Sequence, residues 1–226
     1  MIPQILKKLN IDALNDMQHL ALKTAEQGKD MVLLSPTGSG KTLAFLLPVL
    51  SNLNPIKEGV QCLVIVPSRE LAIQIEQVVR EMGTGYKTNV VYGGRSGSKE
   101  KIELTHTPTI LVGTPGRVAD HIRRDRITLN GISNLVLDEF DKSLELGFLE
   151  EMSYITGSLK SVKKRILTSA TDAIEIPGFI GMEDTARLDF LTGDQEETKL
   201  SIQTVESDGK DKLETLFRLI CMLGNR

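Results

Sequence analysis

The stretch DMVLLSPTGSGKTLAFLL, residues 30 to 47, decides the fold. It opens as a short apolar run, passes through a loop of small residues and continues as an apolar helical pattern. A helix that starts this way points its unpaired N–H groups into the loop before it, which makes a site for an anion. The loop SPTGSGKT, 35 to 42, has the residues that phosphate needs. The backbone N–H groups from Thr37 through Ser39 to Thr42 can turn inward, and Gly38 and Gly40 bring the chain close with no Cβ in the way. Lys41 reaches the β- and γ-phosphates as a point charge, and Thr42 offers a hydroxyl to Mg²⁺. Ser35 stands where the strict G-x-x-x-x-G-K-[ST] pattern has its first glycine. The bland alternative is an ordinary turn between strand and helix.

Working outward, the same alternation recurs along the chain. Apolar runs lie at DMVLLS (30–35), QCLVIVP (61–67), TNVVYGG (88–94), TILVGT (109–114), SNLVLD (133–138) and RILTSA (165–170). Each is continuous, as for strands covered on both faces of a parallel sheet. Helical patterns lie between them: KTLAFLLPVLSNL, RELAIQIEQVVREM, SKEKIELT, GRVADHIRRD and FLEEMSYITGSL. The expectation is an α/β fold, a doubly wound, mostly parallel sheet with helices on both faces.

Near residue 192 the composition changes. Residues 1–192 read as one domain and 193–199 as a polar linker. Residues 200–226 read as the opening strand and helix of a second domain. In the helix pattern KDKLETLFRLICMLGN, Leu213, Leu216, Phe217, Ile220 and Leu223 share one face. The alternative is a terminal helix that docks back on the first domain.

The 226 residues carry a formal charge of −3 and no tryptophan, so the core must come from Ile, Leu and Val. This balance excludes a coat of basic residues but not a local basic face. The two cysteines, Cys62 and Cys221, form neither a metal-binding pair nor a disulfide framework. No apolar run reaches membrane-span length, and the N-terminus lacks a secretory layout. The expectation is a cytoplasmic monomer with no membrane partner.

LVLDEFDKS, 135 to 143, ends a predicted strand in acids. In open α/β sheets ligands bind beyond the carboxyl ends of the strands. Asp138 can therefore share an edge with Lys41 and hold Mg²⁺, while Glu139 orients or deprotonates an attacking water. Read alone, an Asp-Glu pair is equally a solvated turn.

LDEFD resembles the motif that names the DEAD-box RNA helicases, with Phe140 in the alanine position. PSRELAIQ (67–74) is similar to that family's P-T-R-E-L-A-x-Q, and TPGR (114–117), SAT (169–171) and the pair Gly93–Gly94 match it in family order. The resemblance implies a RecA-like, P-loop NTPase domain. It implies ATP as the nucleotide, with Gln18 reading the adenine edge; Met1 stands at the family's upstream stacking position. It implies that Pro67, Arg69, Gly93, Gly94, Thr114, Pro115, Gly116 and Arg117 hold the backbone of single-stranded or duplex RNA, with little base readout. Ser169 and Thr171 then link the catalytic acids to a second RecA-like domain. That domain supplies arginines to the γ-phosphate, so this stretch alone is expected to bind nucleotide and hydrolyse it very slowly. Two rival readings are a related DNA helicase and a nucleotide-dependent RNA clamp with little hydrolysis.

Overall fold

The computed structural model describes residues 1–94, 107–172, 175–191, 204–207 and 212–224. Two compact units divide at Gly193 and Asp194.

Among its described residues the first unit holds seven strands: β1 (Asp30–Leu34), β2 (Cys62–Ile65), β3 (Thr88–Val91), β4 (Ile110–Gly113), β5 (Asn134–Leu137), β6 (Lys164–Ser169) and β7 (Thr185–Asp189). They form one sheet in the order β3-β4-β2-β5-β6-β1-β7. Every neighbouring pair is parallel. Its helices are α1 (Ile2–Lys8), α2 (Asp16–Glu26), α3 (Lys41–Asn52), α4 (Arg69–Met82), α5 (Pro115–Arg123), α6 (Phe140–Glu145) and α7 (Leu149–Ser158).

Side chains alternate across a strand, and here both faces are apolar. Met31, Leu33, Cys62, Val64, Ile110 and Val112 enter one core cluster with Ala21, Phe45 and Ile75 of α2, α3 and α4. Their neighbours Val32, Leu34, Leu63, Ile65 and Leu111 enter the other with Val118, Phe140 and Ile155 of α5, α6 and α7. The continuous apolar runs thus arise from a sheet covered on both sides. Cys62 is a small core residue, and burial pushes its thiol pKa up.

Three differences from the sequence reading have physical causes. β7 is an edge strand whose only buried residue is Leu188, so TARLD carries no apolar run. α6 is six residues long, too short to show a helical period. Residues 204–207 of the expected strand KLSIQTVES are irregular, and no strand lies beside them among the described residues. The expected helix SKEKIELT and the linker 193–199 lie outside the described residues.

In the second unit, α8 (Leu213–Leu223) has no buried residue. Leu213, Leu216, Phe217, Ile220 and Leu223 are all exposed on it. An ion pair between Arg218 and Glu214, one turn apart, and a hydrogen bond from Thr215 Oγ1 to Ser207 Oγ support it locally. Among the described residues, no helix is long and apolar enough to cross a membrane.

Candidate nucleotide and nucleic-acid site

Parallel pairing puts all carboxyl ends of the strands on one edge. The register is tight there: Ile65 is level with both Gly113 and Leu137, Leu137 with Leu167, and Leu34 with Ser169. Crossing that edge in sheet order, β3 delivers Gly93 and Gly94, β4 delivers Thr114 to Arg117, and β2 delivers Pro67 to Arg69. Then β5 delivers Asp138 and Glu139, β6 delivers Ser169 to Thr171, and β1 delivers Ser35 to Thr42. Residues far apart in sequence thereby fall into two adjacent groups. The segments expected to meet RNA follow β3, β4 and β2, and those expected to meet phosphate follow β5, β6 and β1.

The small-residue loop turns on two left-handed glycines, Gly38 at φ +82° and Gly40 at φ +89°. A Cβ at Gly40 would stand 2.6 Å from Gln18 Nε2, so a side chain there would have to displace the Gln18 amide and bear a left-handed backbone. Ser35 and Ser39 share a hydroxyl–hydroxyl hydrogen bond, and Ser39 Oγ donates to Pro36 O at 2.8 Å. Lys41 is buried, and its ammonium donates to the carbonyls of Ser35 and Pro36. Burial lowers the Lys41 pKa, while the charges of Asp138, Glu139 and Asp141 act to raise it. All three carboxylates of the DEFD cluster therefore lie within electrostatic reach of this lysine. Thr37 is exposed and Thr42 half-buried in the first turn of α3.

Gln18 is buried, and both ends of its amide bond to the protein. It closes a capping box on α2, accepting from Asn15 N at 3.0 Å while its own N–H donates to Asn15 Oδ1 at 2.9 Å. Its Nε2 donates to Gly40 O, and Asn15 Nδ2 donates to Ser39 O at 3.0 Å. The start of α2 thus ties down the candidate phosphate loop at two carbonyls. The pattern N-x-x-Q at 15–18 is a capping signal, and it could have identified Asn15.

Asp138 is 3% exposed, and its pKa is pushed up to about 6. Desolvation is the largest cause, and Glu139 adds to it. The Thr168 hydroxyl, Lys41 and the Glu139 N–H pull the other way. Glu139 begins α6 in the left-handed region, at φ 48° and ψ 51°. Asp141 is fully buried, and its Oδ2 accepts from Thr171 Oγ1 at 3.2 Å. Its Oδ1 has no hydrogen-bond partner among the described residues. Ser169 and Thr171 close a small turn: Ser169 Oγ donates to Thr171 O at 2.6 Å and accepts from Thr171 N at 3.0 Å. Phe140 points away from these acids into the second core cluster, beside a cavity of about 30 Å³ also lined by Val32, Leu34, Leu167 and Thr168. Thr168 was not foreseen, because in the apolar run RILTSA it reads only as a strand residue.

On the other half, Pro67 and Pro115 are buried and shape the backbone. Gly93 and Gly94 are exposed. Thr114 caps α5 without using its hydroxyl as the cap, and Gly116 lies in the first turn. Arg69 is exposed and paired with Glu70, an exchangeable surface contact. Arg117 is less exposed, and Nη1 pairs with Asp120 Oδ2 at 3.2 Å. No group of three or more His, Cys, Asp or Glu that could hold a metal exists among the described residues.

The family model for the DEAD/DEAH box helicases matches residues 15–176. A curated relative from Bacillus subtilis, a DEAD-box ATP-dependent RNA helicase named CshA, is 32% identical over 95% of this chain and 44% of its own length. An ATP-dependent RNA helicase of the same name from Limosilactobacillus reuteri is 37% identical over 76% of this chain and 35% of its own length. The chain therefore spans less than half the length of these relatives. Among solved structures, a DEAD box protein from the hyperthermophile Methanococcus jannaschii matches with a TM-score of 0.73 and 28% identity, over 82% of this chain and 52% of that one. A hypothetical ATP-dependent RNA helicase from Sulfolobus tokodaii gives 0.72 and 27%, over 84% and 57%. With the candidate phosphate loop, the acids and the SAT turn on one edge of a RecA-like sheet, the chain belongs to the DEAD/DEAH box helicase family.

Proposed function

We propose that this chain is the ATP- and RNA-binding half of an ATP-dependent RNA helicase. In the whole protein, ATP hydrolysis would be coupled to remodelling of RNA duplexes by a second RecA-like domain. We place it in the cytoplasm as a monomer. One observation carries the reading: the strand order sorts the candidate RNA segments and the candidate phosphate segments into neighbouring halves of one edge, with Asp138 and Glu139 at the seam.

The triphosphate lies over Ser35 to Thr42, where loop N–H groups and the α3 N-terminus meet its charge. Lys41 exchanges its bonds to Ser35 O and Pro36 O for phosphate oxygens. Gln18 reads the adenine edge by giving up one of its internal bonds. The Thr42 hydroxyl and the Asp138 carboxylate are hard-oxygen donors that would hold Mg²⁺. The ion would supply positive charge there, and Asp138 would be favoured in its ionised form. Glu139 accepts the proton of the attacking water as its oxygen bonds to the γ-phosphorus and the bond to the β–γ bridging oxygen breaks. Ser169 and Thr171 carry the state of the acids outward, through the Thr171–Asp141 hydrogen bond, toward the second domain.

RNA runs across the β3, β4 and β2 ends. Arg69 and Arg117 hold its phosphates, assisted by backbone donors at Gly93, Gly94, Thr114 and Gly116. Contacts of this kind carry little sequence information.

The test is phosphate release by the full-length protein with single-stranded RNA, with DNA of the same sequence and with neither. RNA-specific stimulation is expected, and Glu139→Gln should abolish hydrolysis while retaining ATP binding. Stimulation by DNA would favour a DNA helicase. Remodelling activity that survives Glu139→Gln would favour a clamp. The 226-residue chain alone should bind nucleotide and turn over slowly.

A further inference from the structure

We propose that Thr168, the residue before the SAT turn, is a positioning residue that sets the geometry of both Asp138 and Glu139, an inference that rests on the hydrolytic reading above. Thr168 is completely buried. β5 and β6 run in parallel with Leu137 level with Leu167, so Thr168 stands beside Asp138 where the two strands end. Its hydroxyl donates to Asp138 Oδ1. The same oxygen accepts the Glu139 N–H at 3.0 Å. That N–H also approaches Asp138 Oδ1 at 3.2 Å, which closes a ring of three groups.

One atom therefore does opposite work for two adjacent acids, and only a hydroxyl both donates and accepts in this way. The second bond bears on an unusual backbone. Glu139 lies at φ 48°; among the described residues, the other non-glycine residues with positive φ are Asn10 and Asp125, residue types that tolerate the left-handed region. The glutamate side chain gives no such help, and of the two bonds that fix the peptide entering Glu139, the one to Thr168 at 3.0 Å is shorter than the local one to Asp138 at 3.2 Å. The β-branch of threonine restricts χ1 and keeps the hydroxyl aimed. Thr168 is also covalently next to Ser169, so displacement of the SAT turn reaches both acids through one peptide unit.

Thr168→Val keeps the shape and removes the hydroxyl, and Thr168→Ser keeps the hydroxyl. In the full-length protein, Thr168→Val should lower RNA-stimulated kcat by about 10- to 100-fold with the KM for ATP little changed, because a misplaced base and water slow the chemical step. Thr168→Ser should recover most of the rate. Independently of activity, hydrogen exchange at the Glu139 amide should be faster in Thr168→Val than in wild type, and near wild type in Thr168→Ser. Wild-type kcat in Thr168→Val, an unchanged Glu139 amide, or kcat and KM failing together without rescue by serine would each overturn the proposal. Absence of ATP hydrolysis in the wild type would instead overturn the functional reading, and the Glu139 amide would still decide the placement.

Discussion

Asp138 carries its carboxylate where the protein excludes water. Burial is the dominant cause of its high pKa, and the Thr168 hydroxyl and Lys41 only partly offset it. A carboxyl whose folded-state pKa, about 6, exceeds the ordinary 3.8 favours folding in its protonated form. Its ionisation therefore weakens the fold as pH rises through 6, and the cost vanishes below the unfolded value. Asp138→Asn keeps the acceptor for Thr168 and Glu139 N–H but removes the charge. It should stabilise the metal-free chain at pH 8 by roughly 1–2 kcal/mol, part of the gain being lost because Lys41 loses a partner. The advantage should shrink toward zero near pH 4. Melting temperatures of both proteins across that range check it, and an advantage that grows on acidification would sink it. If Asp138 acts as proposed, this is the usual conflict between a functional charge and a stable core. The acid pair itself was legible in LVLDEFDKS, because an apolar strand ending in Asp-Glu is a pattern of composition. The partner that fixes it was not, because Thr168 becomes visible only when β6 is laid beside β5.

At the level of elements, α6 shows why the cluster tolerates an aromatic. The left-handed turn at Glu139 rotates the chain so that Asp138 meets the edge while Phe140, 3% exposed, enters the core with Leu34 and Leu167. Phe140→Ala, which restores the family's residue at this place, should cost about 3–5 kcal/mol, because the small cavity beside it would merge with the space the ring leaves. Denaturant unfolding of the two proteins measures the difference, and a loss below 1 kcal/mol would mean that α6 collapses to fill the gap. Five buried strands and the edge strand β3 were readable as continuous apolar runs, and α3, α4, α5 and α7 as helical periods between them. β7 was not, since TARLD sets Arg187 between its two apolar residues and only Leu188 is buried. α2 was readable only in part: Gln18 stood out by resemblance, whereas its engagement with Asn15 and Gly40 depends on where α2 docks against the phosphate loop.

Across the whole first unit, sheet order does what sequence order cannot. The chain visits β1, then β2, β3 and β4, and returns to β5 and β6 between β2 and β1. The acids thus arrive in the middle of the edge, with the candidate phosphate loop on one side and the candidate RNA segments on the other. If that partition is functional, the two binding activities separate by mutation. Arg69→Ala and Arg117→Ala should each weaken single-stranded RNA binding whatever the sequence, and each should reduce the slope of log affinity against log salt by about 1, since each removes one phosphate contact. Neither should change affinity for a fluorescent ADP analogue. Lys41→Ala should do the reverse, losing nucleotide and leaving nucleotide-free RNA binding intact. Fluorescence anisotropy of labelled RNA over a salt series, paired with nucleotide titration, reads both quantities on the same protein. Arg117 gives the sharper test, because its pairing with Asp120 holds the guanidinium in place before RNA arrives, whereas the exposed Arg69 must first leave Glu70. Arg117→Ala should therefore cost more affinity than Arg69→Ala, and equal losses in nucleotide and RNA binding from either would show that the two halves of the edge do not work as separate surfaces.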